Sequence, residues 1–241
     1  MPSITLLDRR ITYRLLRTRR NRYIRLTVTI GEGLRVSIPY RFPAHSVAPI
    51  LRERASWILN KLDEFERLER TLPKNLYRSG APVMFLGRVR RLQVVQGADG
   101  MSNVRLRPEV MEVELPARVT GEEREKILRT ILDDWYRART RKLLMPRVER
   151  YARLMGVSPR QICVRRQRSR WGSCSAQGVI NLNQYLAMLP LKIIDYVIVH
   201  ELAHLCELNH SERFWRLVDR FCTDRQDCQS WLRGHTYLLE R

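Results

Sequence analysis

Between Asp195 and Trp215 the chain reads Asp-Tyr-Val-Ile-Val-His-Glu-Leu-Ala-His-Leu-Cys-Glu-Leu-Asn-His-Ser-Glu-Arg-Phe-Trp. An apolar run, Tyr196 to Val199, ends abruptly in His200, Glu201 and, three residues on, His204. A buried helix accounts for both halves of that pattern. Residues four apart on an α-helix lie one above the other, so His200 and His204 aim two imidazoles at one point. Glu201 lies about 100° further round the helix, beside that point rather than on it. Two nitrogen donors on a rigid element are the start of a metal site. A carboxylate next to them is placed to take a proton from a water at the metal.

A catalytic zinc takes three protein ligands and leaves one position open. His210 is the leading candidate for the third. Continued as one helix, it would point about 280° away from His200. The pattern therefore predicts that the helix ends near Glu207 or Leu208 and that the chain turns back. Asn209 suits such a turn, because Asn tolerates the left-handed conformation that often ends helices. Ser211 then reads as the N-cap of a new helix with Glu212 in its first turn. Glu207, Glu212, Asp219 and His235 are the other donors that sequence distance leaves open. The His-x3-His-x5-His spacing equals that of the metzincin proteases, but Glu207 stands where they carry Gly, and no Met-turn is evident.

Length and composition bound the rest. At 241 residues there is enough chain for one large or two small domains with a proper core. No run of eighteen apolar residues marks a membrane span, and Met1 to Arg10 lacks the apolar region of a signal peptide. Five cysteines, an odd number, fit no paired zinc pattern. A reducing cytoplasm is the expected location. The formal charge is +20, and with only five lysines the excess is almost all arginine. A codon bias toward arginine accounts for Arg over Lys but not for the shortage of acids. Arg9 to Arg41 holds ten arginines against Glu32, and Arg137 to Arg170 holds twelve basic residues against Glu149. Fields of that kind attract phosphates and nucleic acid.

Residues 1–118 read as a β-rich region with one helix. Ile24 to Ile30 and Leu34 to Ile38 alternate apolar and polar around Gly31-Glu32-Gly33, which predicts a hairpin. Ser46 to Leu68 has helical spacing. Val83 to Val95 and Val104 to Leu115 read as two more strands joined by Gly97-Ala98-Asp99-Gly100. Residues 119–241 read as the catalytic domain. Thr120 to Glu123 open a long helix whose buried stripe is Ile127, Ile131, Leu132 and Trp135, with Pro146 expected to kink or split it. Gly156 caps it. A strand through Ile162 and Val164, a basic turn with Trp171 to Ser175, and a strand Val179 to Asn183 lead through Pro190 into the metal helix. The strand Val179 to Asn183 is expected to line a cleft to which substrate adds as a further strand. Arg168, Arg170 and Asn183 are candidate substrate-binding residues there, and Arg166, Arg168 and Arg170 would share one face of an extended strand. Two short helices with Phe214, Trp215, Trp231 and Leu232 on their packed faces should close the chain.

Several motifs in order carry a resemblance. They are Arg168-Ser169-Arg170-Trp171-Gly172-Ser173-Cys174-Ser175, Gly178-x-Ile180-x-Leu182-Asn183, Asp195 to His204, Asn209-His210-Ser211 and Phe214-Trp215. Together they resemble the YgjP-like metallopeptidase family, to which SprT-type and WLM-type proteases are related. The resemblance is strongest from about Gln161 to Leu232. It implies an α+β, zincin-like catalytic fold, one zinc per chain on His200, His204 and His210, and Glu201 as catalytic acid/base. It also implies two substrate classes. One is a peptide or protein. The other is a nucleoside triphosphate cleaved by a pyrophosphatase, for which Mg²⁺ or Mn²⁺ is a possible ion. A third reading keeps the chain as a nucleic-acid-associated binding protein, docked through the arginine clusters at 9–41 and 137–170. An intact Glu201 speaks against that last reading, because a purely structural metal needs no base.

Overall fold

A computed structural model describes residues 1–19, 22–29, 33–71, 77–97, 102–116, 119 and 121–240. Contacts divide them into two units, Met1–Lys74 and Asn75–Leu239. The architecture is α+β, with small sheets and six α-helices among the described residues.

Period-two sequence builds the sheet of the first unit. Its strands are β1 (Ser3–Leu6), β2 (Arg9–Thr18), β3 (Arg25–Thr29) and β4 (Gly33–Pro39), in the order β1-β2-β4-β3. The expected hairpin is the β3/β4 pair; Ile30, Gly31 and Glu32 of its turn lie outside the described residues. Leu34, Val36 and Ile38 point to one face and are fully buried with Val47, Leu51 and Ile58. The helix expected from Ser46 to Leu68 is two helices, α1 (Val47–Glu53) and α2 (Ala55–Thr71), divided at Arg54.

The second unit starts with β5 (Pro82–Phe85), β6 (Arg88–Gly97), β7 (Asn103–Leu106) and β8 (Val110–Pro116), in the order β5-β6-β8-β7. Each of the two strands expected here is in fact a hairpin. Val83 to Val95 is interrupted at Leu86 and Gly87, both at positive φ (51° and 75°). Leu86 hides that turn from a hydropathy reading, because apolar character runs straight through it. The turn has a structural use. Leu86 N–H and Gly87 N–H donate to Ala187 and Met188 carbonyls at 2.8 and 2.9 Å. A Cβ on Gly87 would lie 2.7 Å from Pro190 Cγ. The sheet thus grips the segment that leads into the helix carrying His200. Residues 98–100 of the expected polar loop, and Thr120 before the long helix, lie outside the described residues.

Helix α3 (Gly121–Met155) runs without a break through Pro146, so the expected split does not occur. Leu132 of the expected stripe is buried, and Ile127, Ile131 and Trp135 pack half-buried against the core. Gly156 ends the helix at φ 67°, as its C-cap role requires. Then come β9 (Gln161–Arg165), β10 (Gly172–Cys174), β11 (Val179–Asn183), α4 (Leu191–Ala203), α5 (Glu212–Asp219) and α6 (Arg225–Gly234). The three strands form a sheet in the order β10-β11-β9, with β11 antiparallel to β10 and parallel to β9.

One apolar cluster joins Val83, Leu92, Met111 and Val113 of the second sheet to Leu128 and Tyr136 of α3, Ile180 and Leu182 of β11, and Ile194 and Val197 of α4. This division differs from the one expected between residues 118 and 119. The described residues between 77 and 116 share the core of α4, because their buried face packs on α3. Among the described residues no helix is long and apolar enough to cross a membrane.

Candidate metal centre

Helix α4 begins after Pro190 and is buried along nearly its whole length. It ends at Ala203, with His204 as its C-cap, four residues before the stop expected from sequence. Leu205, Cys206 and Glu207 turn back on Leu202 and Ala203 through backbone hydrogen bonds of 3.0 Å. Asn209 makes its turn with its side chain, accepting from Ser211 N–H at 3.2 Å, and is not among the positive-φ residues. Ser211 caps α5 by accepting from Phe214 N–H at 3.3 Å.

This early stop brings three imidazoles together. Ring nitrogens of His200, His204 and His210 all lie within 4.8 Å of one another, and the Nε2 atoms of His200 and His210 are 3.1 Å apart. Two nitrogens bound tetrahedrally to one zinc at 2.0–2.1 Å sit about 3.3 Å apart, so the donor set fits that ion. His204 Nδ1 lies 3.0 Å from the Glu207 carbonyl, which fixes the tautomer that leaves Nε2 free to ligate. Tyr196 OH lies 3.4 Å from His200 Nδ1. Phe214, fully buried, touches all three rings, and Trp215 stacks on His210 at 5.3 Å. Arg225 lies over Trp215 at 4.7 Å and is held by Asp219 at 2.6 Å. Burial, with the neighbouring imidazoles second, brings the His200 pKa down to about 3. Burial also lowers that of His204. Both rings are neutral and ready to donate at neutral pH.

The other donors left open by sequence are engaged elsewhere. Glu207 faces Arg213 at 3.5 Å, Glu212 faces Arg216 at 4.0 Å, and Asp219 holds Arg225. His235 stacks on Trp231 with ring centroids 3.7 Å apart.

Glu201 is only 6% exposed. Desolvation pushes its carboxyl up to about 8, with the charge of Arg170 pulling the other way. Its side chain lies flat on Gly172 of β10, where a Cβ would fall 2.5 Å from Glu201 Oε1. Only glycine leaves room for the carboxylate. Trp171, Gly172, Tyr196, Val197 and Leu232 line the same pocket as His200 and Glu201. Sequence reasoning marked Trp171-Gly172 as a motif without seeing this contact, because the pairing is between distant parts of the chain.

The candidate substrate residues separate. Arg168 and Arg170 are exposed. Asn183 is fully buried: its Nδ2 donates to Gln167 O at 2.7 Å and Arg170 O at 2.9 Å, and its Oδ1 accepts from Tyr185 N–H. It pins the basic turn and does not itself face a cleft. Strand β9 stops at Arg165, so the alternation expected for Arg166, Arg168 and Arg170 is lost in a loop. Arg166 pairs with Asp133 of α3 at 3.4 Å.

A family model described as YgjP-like, metallopeptidase domain matches residues 22–235. The chain belongs to the YgjP-like family. The match spans both units, so the first sheet from β3 onward is part of what the YgjP-like description covers. No curated protein matches this chain. Two solved structures do. The metallopeptidase zymogen of Pyrococcus abyssi abylysin is 22% identical with a TM-score of 0.33, over 38% of this chain and 94% of that one. The metallopeptidase zymogen of Methanocaldococcus jannaschii jannalysin is 17% identical with a TM-score of 0.34, over 37% and 92%.

Proposed function

We propose that this protein is a zinc-dependent peptidase with a zincin-like catalytic unit, one zinc held by His200, His204 and His210, and Glu201 as general base. The observation that carries it is the convergence of three imidazoles beside a buried carboxylate on the edge of a small sheet. A zinc ion there supplies a Lewis acid and lowers the pKa of water. The +2 charge of that ion would offset the desolvation that raises the Glu201 carboxyl, so that Glu201, ionised, takes the proton of the attacking water and returns it to the leaving amine.

Strand β10 supplies the docking edge. The strand expected to receive substrate, Val179 to Asn183, is central, with β10 and β9 on either side. Asn183 N–H donates to Trp171 O and Ser175 N–H to Val179 O. Trp171, Ser173 and Ser175 therefore turn their backbone groups to β11, and Gly172 and Cys174 turn theirs outward. An extended peptide pairs with Gly172 and Cys174 and so lies across Glu201 and the imidazoles. Arg170, near enough for its charge to act on Glu201, is the arginine we assign to substrate, with Arg168 at the outer rim. The nucleotide reading needs Mg²⁺ or Mn²⁺, which prefer oxygen donors; three imidazoles favour zinc.

Gly172→Ala tests the edge. The added methyl displaces Glu201 by an ångström or so while leaving the histidines in place. Zinc content is expected to be unchanged and hydrolysis to fall about 10²-fold; undiminished turnover would separate β10 from the reaction. The function itself is tested on a mixed-sequence peptide library with the zinc-loaded protein, products read by mass spectrometry. Internal cleavages are expected, and they should vanish with chelator. Intact peptides alongside hydrolysed nucleoside triphosphates would replace the peptidase with the pyrophosphatase.

A further inference from the structure

A cavity of about 170 Å³ opens beside Glu201, between α4, α6 and the start of β10. Tyr196 stands four residues before His200 and Val197 four before Glu201, so both lie on the helix faces that carry that pair. They form one wall, Leu232 of α6 forms another, and Trp171 and Gly172 close a third side. The Tyr196 hydroxyl is turned to His200 Nδ1 at 3.4 Å and is hydrogen-bonded by Gln229. The Trp171 indole nitrogen is itself buried. Apart from His200 and Glu201 the lining is therefore apolar. The walls are tied together before any ligand arrives. Gln229 joins α6 to Tyr196 of α4, Lys192 of α4 pairs with Asp224 at the N-cap of α6 at 2.6 Å, and Cys228 of α6 is fully buried.

We infer that this cavity receives the side chain of the residue that follows the scissile bond, and that it selects an apolar group the size of leucine, methionine or phenylalanine. The inference rests on the peptidase reading and deepens it. Glu201 returns its proton to the leaving amine, so that nitrogen lies on the Glu201 side of the imidazoles. The side chain one Cα beyond that nitrogen is then the one beside the cavity. Successive side chains of an extended peptide point to opposite faces, so of the two residues flanking the bond only one enters.

Size and polarity follow from the lining. A dry cavity of about 150 Å³ walled by aliphatic and aromatic residues holds a benzene ring. At about 170 Å³ this one holds a branched aliphatic chain or a single ring, and an indole overfills it. Glycine and alanine leave Val197 and Leu232 uncovered and forgo the gain of burying them. An acidic side chain is repelled by ionised Glu201, and a basic one would tie up the carboxylate that the reaction needs free.

Leu232 is the residue to vary, because it lines the cavity and is neither an imidazole ligand nor the base. A mixed-sequence peptide library is digested with the zinc-loaded full-length protein, and cleavage sites are read by mass spectrometry. Cleavage before leucine, methionine or phenylalanine is expected to exceed cleavage before glycine, aspartate or tryptophan at least about tenfold. Leu232→Ala enlarges the cavity and should move the preference toward tryptophan and tyrosine. Leu232→Phe fills it and should move the preference toward alanine. Zinc content and Tm check that each variant folds. A second measurement needs neither turnover nor a variant. Acetohydroxamate and hydroxamates bearing isobutyl, benzyl or indolylmethyl groups are compared by the rise in Tm they give the zinc-loaded parent. The isobutyl and benzyl compounds are expected to give the largest rises, and in Leu232→Ala the indolylmethyl compound should overtake them. Hydroxamates ranked in this way with no peptide cleaved would overturn the peptidase reading and keep the selectivity of the cavity. Cleavage indifferent to Leu232, or a preference that falls on the residue before the scissile bond, would overturn the inference and leave the peptidase standing. So would hydroxamates that all raise Tm equally.

Discussion

Glu201→Gln is expected to hold as much zinc as the parent protein and to cleave peptides about 10²–10⁴-fold more slowly. The amide keeps the shape that fits against Gly172 and loses only the ability to accept a proton. The metal-free protein offers a second reading of the same change. The folded-state pKa of Glu201, about 8, lies above its ordinary value of 4.5. Between those two pH values the native protein therefore holds a proton that the unfolded chain has lost. Its stability should fall as pH rises through that window. His200, lowered to about 3 from 6.5, acts in the opposite sense below pH 6.5, so the fall is clearest between 6.5 and 8. In Glu201→Gln it should be absent. Near-normal turnover in this variant would remove Glu201 from the chemistry, and an unaltered pH profile of melting would remove it from the buried site.

His200→Ala and His204→Ala are expected to abolish the zinc complement of about one per chain. With it should go the rise in Tm that zinc gives the parent by binding the folded form alone. Truncating either ring also opens a gap beside Phe214, which touches all three imidazoles, so the metal-free melt must be compared as well. His210→Ala removes an exposed ring from a loop. It should weaken zinc retention with little effect on the metal-free fold. Undiminished zinc in His210→Ala would point instead to a carboxylate, Glu207 first, swung away from Arg213.

What the sequence made legible here was local. Four-residue spacing on an apolar run placed His200, Glu201 and His204 on α4. Asn209 and Ser211 placed the turn and the cap that carry His210, although the helix ended sooner and Asn209 used its side chain rather than a left-handed backbone. Pairings between distant segments were not legible. Nothing near Gly172 announces that Glu201 lies on it, and nothing near Val179–Asn183 says that this strand is central and β10 is the edge. Asn183 was legible as polar on a strand, but its burial beneath Gln167 and Arg170 follows from tertiary packing. The hairpin at Leu86-Gly87 was hidden because an apolar residue occupies a left-handed position. The common strand order of the two four-stranded sheets was hidden because they share pattern rather than identity. Leu7 and Leu86, Arg9 and Arg88, Val36 and Val113, and Pro39 and Pro116 coincide, while most other equivalent positions differ. Of the two outcomes expected at Pro146, a split does not occur, because a long helix held on both sides of a proline by buried Leu144 and Val148 tolerates one missing hydrogen bond.

The central claim is a zinc held by three histidines with Glu201 outside the ligand set. Zinc K-edge absorption of the zinc-loaded protein tests it most directly. The account predicts three nitrogen donors at about 2.0–2.1 Å with the outer-shell scattering of three imidazoles, the remainder oxygen, and a spectrum unchanged in its first shell by Glu201→Gln. A sulfur shell at about 2.3 Å, or two imidazoles with a carboxylate that disappears in Glu201→Gln, would contradict it.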